Sequence, residues 1–256
     1  MYLVKSCYQR DNIRNRKTIK IGTLTEYRDT EDVQIADRHE GSVSLFFDLN
    51  NFHMPIPLHN QINTFSHASS NFHLKDLQLR PNPLFSNHLY AKRYSAESSL
   101  VKLNRYIFCM SALPNAFMCQ DIFSEYDDFW YFNSDRTKLF GDIISSAILK
   151  EVINRTNNNE ELFTTSIKCK PLNLRWYANR IVYTQRDIEI DNLKLYKNQD
   201  EIRYYLSEGH MVKPKSFQHE QEFRFIFDIY CNGTLVHPLN KPLFADAQYF
   251  LPLIKR

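Results

Sequence analysis

Hydrophobic and polar positions fall into their clearest pattern late in the chain, where Glu222 to Ile229 (EFRFIFDI) predicts a central strand with at least one covered face. A period of two sends Glu220, Glu222 and Arg224 to one face and Gln221, Phe223, Phe225 and Phe227 to the other. Similar short runs predict strands over residues 2–8, 18–24, 42–49, 105–113, 163–169 and 177–185, with a final pair around Leu235 and Tyr249. A helical spacing links Ile143, Ile144, Ala147, Ile148, Val152 and Ile153, so residues 140–154 read as the best helix, and 198–208, closed by Gly209, as a shorter one. Residues 121–132, with Tyr126, Phe129, Trp130, Tyr131 and Phe132, read as a helix or turn that sheds aromatics into the core. Two polar stretches have no buried face of their own. Residues 26–41 (EYRDTEDVQIADRHEG) read as an irregular segment with short turns, because Thr30, Val33 and Ile35 lower helix propensity. Residues 50–93, rich in Asn, His, Ser and Pro, read as an insertion with one or two strands. The predicted class is α+β.

Composition narrows the function more than the fold. The 256 residues contain no Pro/Gly/Ser-rich linker and read as a single domain, 1–256. Only five glycines are present, with no G-x-G-x-x-G and no P-loop, which argues against Rossmann and kinase-type phosphate loops. A net charge of +3 permits contact with nucleotide or nucleic acid without requiring it. Five cysteines without a C-x-x-C pair suggest neither a disulfide framework nor structural zinc. The start of the chain has no signal-peptide pattern and no run reaches the roughly 18 apolar residues needed to cross a bilayer. A cytoplasmic protein without a membrane partner is expected. His53, His59, His67, His73 and His88 lack metal-ligand spacing and read as surface or capping residues, and no metal is expected.

The candidate chemistry lies in the polar groups around the predicted central strand. Glu220 and Glu222, about 7 Å apart on one strand face, need a cation nearby, and Arg224, Lys213, Lys215 and His219 are the nearest in sequence. A solvated, salt-bridged face is the alternative. Within residues 26–41, Tyr27 adjoins Arg28, and Asp37 adjoins Arg38 with Glu40 following. An arginine held by neighbouring acids is preorganised for a forked contact with phosphate or carboxylate, and equally for an internal ion-pair network. The cations of QRDNIRNRK (Arg10, Arg14, Arg16, Lys17) read as a solvated charge run.

In order along the chain stand YLVKSCY, then IKIGTLTEYRDTEDVQIADRHEG with its Gly-Thr-Leu opening, Tyr-Arg pair and Asp-x-x-Glu-Gly close. FCMS, a Trp-containing aromatic segment, VYTQRD and finally Lys213 leading to HEQEFRF follow. This ordered set resembles a group of bacterial domains distantly related in pattern to mono-ADP-ribosyltransferases, the DarT-type toxins among them, and it covers most of the chain outside the His-rich region. The resemblance implies a split, twisted, mostly antiparallel sheet that clamps NAD in a groove, with ADP-ribosyl transfer to a protein or nucleic-acid acceptor as a toxin or phage-defence effector. It places Glu222 as the catalytic acid, Glu220 at the acceptor and Ser111 as a steadying hydroxyl. It also places Arg28 or Arg38 as the clamp on the pyrophosphate, with Tyr27 and Lys5 in the NAD groove. The alternatives are a non-catalytic nucleotide- or nucleic-acid-binding module and a metal-dependent nuclease. The nuclease reading ranks last, because position 224 is Arg where a lysine would orient water.

Overall fold

The computed structural model describes residues 1–29, 37, 39–65, 71–167 and 171–256. In chain order the elements begin with β1 (Tyr2–Cys7), α1 (Ile13–Arg16), β2 (Thr18–Thr23), α2 (Leu24–Asp29), β3 (Ser42–Pro55), α3 (Ile56–Phe65), β4 (Asn71–Pro81) and β5 (His88–Val101). Next come β6 (Tyr106–Leu113), α4 (Cys119–Ile122), β7 (Asp128–Asn133), α5 (Thr137–Asn157), β8 (Leu172–Arg180), β9 (Val182–Thr184) and β10 (Asp187–Asp191). The chain closes with α6 (Asn192–Lys197), α7 (Gln199–Glu208), β11 (Val212–Pro214), β12 (Glu222–Cys231), β13 (Thr234–Val236) and β14 (Leu243–Asp246). The protein is α+β and its ladders are mostly antiparallel; β3 with β10 and β9 with β11 are parallel.

The chain divides into two compact units, residues 1–40 with 104–181 and 216–256, and residues 41–103 with 182–215. The stretch 50–93, read from sequence as an insertion, lies wholly within the second unit.

In the first unit an eight-stranded sheet has β6 near its centre, with β12 on one side. β12 is the predicted central strand, and its Phe225 and Phe227 join Phe108, Trp130, Phe132 and the buried stripe of α5 (Phe140, Ile144, Ala147, Ile148, Val152) in one core. Fully burying a side chain of this size contributes about 1.5–3 kcal/mol. On its other flank β6 changes partner. Tyr106 and Ile107 pair with Thr23 and Gly22 of β2, whereas Ser111, Ala112 and Leu113 pair with Val4, Leu3 and Tyr2 of β1. β1 continues to β7 and β2 continues to β14, so the sheet forks. Among the described residues, 108–110 have no ladder partner on that side, a gap of about 10 Å at 3.3 Å per residue. The QRDNIRNRK segment explains the fork: it joins β1 to β2 through a 3₁₀ turn and α1 instead of a hairpin, so the two strands never pair.

The second unit is built on the order β10-β3-β5-β4, with α3 and α7 contributing Leu58, Ile62, Ile202, Tyr205 and Leu206 to its core.

Several sequence expectations differ from the structure. Residues 24–29 form α2, because Leu24 is buried and the Thr23 hydroxyl accepts from the Glu26 amide at 3.2 Å, a cap that overrides weak propensity. Residues 128–133 form a strand, not a helix or turn; Trp130 and Phe132 join the main core while Phe129 joins a second cluster with Val4 and Leu113. Residues 163–167 make one isolated bridge, Phe163 to Pro238, in place of the expected strand, and 168–169 lie outside the described residues. The last strand is β14; Tyr249 lies beyond it and is exposed.

Candidate functional site

Glu222, Ser111 and Val4 face one another across three neighbouring strands: Glu222 of β12 pairs with Ser111 of β6, and Ser111 pairs with Val4 of β1. One residue further, β1 leaves β6, and Lys5 spans the opening to donate from Nζ to the Cys109 carbonyl at 3.0 Å. That carbonyl lies in the stretch of β6 without a ladder partner on this flank, so the ammonium satisfies a group the fork would leave bare. The same ammonium lies 5.3 Å from the centre of the Phe108 ring and makes no ion pair among the described residues.

A cavity of about 470 Å³ occupies the fork, within the usual size range of small-molecule sites. β1 and its end contribute Lys5, Ser6, Cys7 and Tyr8; β2 contributes Thr18, Ile19, Lys20 and Gly22. The floor and walls include Phe108, Trp130, Tyr27 and Tyr126. Tyr8 and Tyr126 meet edge to face at 5.0 Å, and Phe108 and Trp130 stack at 6.1 Å. Two ion pairs stand at the rim, Arg16 with Asp11 at 2.8 Å and Lys20 with Glu26. Aromatic walls with basic side chains at the edge suit a planar, anionic ligand.

Gly22 permits a close approach. A Cβ there would stand 2.9 Å from Tyr27 Cε2, so the absent side chain lets the Tyr27 ring lie against β2. The Tyr27 hydroxyl is held well above its ordinary pKa, first by burial and then by the neighbouring Cys109 and Glu222, so it stays a neutral donor.

Glu222 is buried and tightly held. Arg224 donates from Nε to Glu222 Oε1 at 2.7 Å and from Nη1 to Glu40 Oε1 at 2.8 Å, with 1% of its side chain exposed. Burial opposes its charge, but the Glu222 and Glu40 carboxylates outweigh that and keep the guanidinium protonated. The Cys109 thiol beside them is pushed up to about 12, mainly by burial and then by Glu222, and so is not a nucleophile at neutral pH.

Of the residues singled out from sequence, Lys5 and Tyr27 line the cavity. Glu222 and Ser111 sit together on the adjoining strands and are nearly fully buried. Glu220 is placed differently from the expectation: it ends a 3₁₀ turn (Lys215–Glu220), and Gln221, with φ of 46°, breaks the alternation, so Glu220 and Glu222 do not share a strand face. Arg28 is half-buried and donates from Nε to the Glu40 carbonyl, serving the segment that carries Glu40. Arg38 lies outside the described residues. Of the sequence cations offered to the Glu pair, Arg224 is bonded to Glu222.

Arg16 and Lys20 were missed as site residues. Arg16 stood in a charge run that reads as solvated, and only the fork brings it to a cavity edge. Glu40 follows Arg38 closely in the sequence, and its bond to Arg224, 184 residues away, has no local signal. Among the described residues no group of three His, Cys, Asp or Glu side chains is placed to hold a metal, and no helix is long and apolar enough to cross a membrane. Searches of protein families, characterised proteins and solved structures found no match to this chain.

Proposed function

We propose that the first unit binds NAD in the fork of its sheet and transfers ADP-ribose to a macromolecular acceptor, on an ADP-ribosyltransferase-like fold. The observation that carries this reading is the row Glu222–Ser111–Val4, ending beside Lys5, an ammonium without an ion-pair partner among the described residues, in a cavity of about 470 Å³. Lys5, with Arg16 and Lys20 at the rim, meets the pyrophosphate, and the aromatic walls take the flat rings. NAD supplies a glycosidic bond whose cleavage builds positive charge on the ribose as nicotinamide departs. The Glu222 carboxylate stabilises that charge. Arg224 and Glu40 hold the carboxylate in one pose, and Ser111 steadies the acid or the sugar from the next strand. Glu220, on the turn that delivers the chain to β12, receives the acceptor's proton as the new bond to ribose forms.

One observation favours a second reading, a nucleotide-binding module without chemistry: Glu222 is 4% exposed and does not line the cavity. Incubation of the purified chain with NAD labelled in the adenylate moiety, alone and with cell lysate, separates the two. Labelled macromolecule with release of nicotinamide supports transfer. Saturable NAD binding by calorimetry without nicotinamide release supports the module, and absence of both removes NAD from the site.

A further inference from the structure

The second unit carries a surface cluster that the fork does not involve. His53 of β3 stands directly opposite Tyr90 of β5, and Tyr90 stands opposite Arg80 of β4, so one rung crosses three strands. Residues opposite one another in a ladder share a face, and their contacts bear this out. The His53 and Tyr90 rings meet at 5.5 Å, and the Arg80 guanidinium lies over the Tyr90 ring at 4.7 Å. The loop between β4 and β5 brings Phe85 against His53 at 5.6 Å and against His88 at 5.5 Å. Phe85 is 49% exposed, an unusual position for a ring that makes two aromatic contacts. Lys92, two residues past Tyr90 on β5, is exposed where the β4–β5 register shifts between Gln78 and Leu79.

Charge separates this cluster from the rest of the same sheet. Arg93 is paired with Asp48 and Asp76, and Lys75 with Glu97. Arg80 and Lys92 make no ion pair among the described residues. The cluster therefore presents four flat rings with two uncompensated cations beside them. A protein partner would be met by acids opposite the cations and apolar groups over the rings. A single-stranded nucleic acid offers both in every nucleotide: a base to stack on a ring without sequence preference, and a phosphate for each cation.

We infer that the His53–Arg80–Phe85–His88–Tyr90–Lys92 face binds single-stranded nucleic acid by stacking bases on its rings and placing phosphates at Arg80 and Lys92. This does not rest on NAD chemistry and holds whether or not the fork turns over.

The test titrates the whole chain into fluorescein-labelled dT12 and U12 by anisotropy at 50 and 200 mM salt, with polyglutamate as an acidic competitor. The expected result is saturable binding that weakens steeply with salt and resists polyglutamate. Phe85→Ala and Tyr90→Leu should each weaken it by about fivefold or more, at unchanged melting temperature because both side chains are partly exposed. Arg80→Ala should lower the slope of log affinity against log salt by about one. Tighter binding of dT12 assigns DNA and tighter binding of U12 assigns RNA. Absence of binding at 50 mM salt overturns the inference. So does unchanged affinity in the Phe85→Ala, Tyr90→Leu double variant, and so does equal displacement by polyglutamate, which would mark a site for acids in general.

Discussion

The two sheets of this protein treat their central strands differently. In the second unit β5 lies between β3 and β4 and keeps a partner on both sides along nearly its whole length, from Val101 to His88 on one flank and from Ser99 to Leu89 on the other. Its charged side chains, Lys92, Arg93 and Glu97, are partly or fully exposed. In the first unit β6 loses its partner over residues 108–110 on one flank, and there the structure places a cavity, a lysine capping a bare carbonyl and, one strand away, a buried Glu-Arg-Glu cluster. A continuous ladder satisfies its own backbone and leaves no interior space. A forked one must recruit side chains to finish the accounting, and those side chains are then held in place for a ligand.

The largest effect that tests this contrast comes from Arg224. Arg224→Met removes the cation between two buried carboxylates and should destabilise the first unit by about 3–5 kcal/mol, the cost of breaking a buried pair. Thermal unfolding would show it as a large drop in melting temperature, and a drop no greater than that of an exposed-site control would mean the cluster is solvated. The matching change in the other sheet is Leu45→Ala, at a fully buried position of β3. It should cost about 2–5 kcal/mol while leaving NAD affinity at the temperature of the assay unaltered. Weakened NAD binding in the folded variant would undo the assignment of the site to the first unit.

Glu222→Gln comes next. Gln keeps the shape and still accepts from Arg224, but carries no charge, so nicotinamide release should slow by roughly 10² to 10³ with NAD binding retained. Glu220→Gln should spare NAD hydrolysis and impair transfer to the acceptor. If both variants lose only melting temperature and keep wild-type rates, the two acids are structural and the catalytic assignment of Glu222 fails; only a wild type without turnover leaves the binding-module reading.

Much of the fold is legible because its strands advertise themselves. Tyr2–Cys7, Tyr106–Leu113 and Glu222–Cys231 carry patterns that only a covered sheet satisfies, and they lie side by side. Aromatic-rich 128–133 was harder, since a strand with rings on both faces has no simple period: Trp130 and Phe132 pack one way and Phe129 the other. The site was legible only in part. The rung of Glu222 and Ser111 follows from two recognisable strands, and Lys5, one residue past that rung, from a recognisable β1. The left-handed Gln221 that takes Glu220 off the strand, and the Glu40–Arg224 bond across 184 residues, depend on tertiary packing that no local pattern encodes.

Lys5→Ala sharpens the comparison at intermediate cost. It leaves the Cys109 carbonyl bare and removes a cavity cation that has no ion-pair partner among the described residues. Loss of a charged hydrogen bond should weaken NAD binding by about 1.5–3 kcal/mol, roughly ten- to a hundredfold. Calorimetry against NAD and against nicotinamide riboside distinguishes the roles: the riboside has no pyrophosphate, so its affinity should change little. Equal losses for both ligands would place the lysine's contribution in the cavity's structure instead of at the phosphates.

The smallest expected effect is at Gly22, and it tests whether the fork's geometry itself matters. The residue sits in β2 with no left-handed backbone to preserve, so Ala is compatible with the strand and reduces the entropy lost on folding, a gain of about 0.5–1 kcal/mol. Against that, the new Cβ would meet Tyr27 Cε2 at 2.9 Å and Glu26 Oε2 at 3.1 Å. The ring must turn away from β2, and holding a side chain about 30° off its rotamer costs on the order of 0.5–1.5 kcal/mol. The two contributions nearly cancel, so the melting temperature of Gly22→Ala should stay close to wild type. The cavity changes nonetheless, because the displaced ring is one of its walls. NAD affinity should fall by about fivefold, the equivalent of roughly 1 kcal/mol. Tyr27→Phe, which keeps the ring and removes the hydroxyl, divides the result: loss in Gly22→Ala alone assigns the effect to the wall, and loss in both assigns it to the hydroxyl. Wild-type affinity in both variants would remove Tyr27 from the site and leave the fork's aromatic contacts to Phe108, Trp130 and the Tyr8–Tyr126 pair.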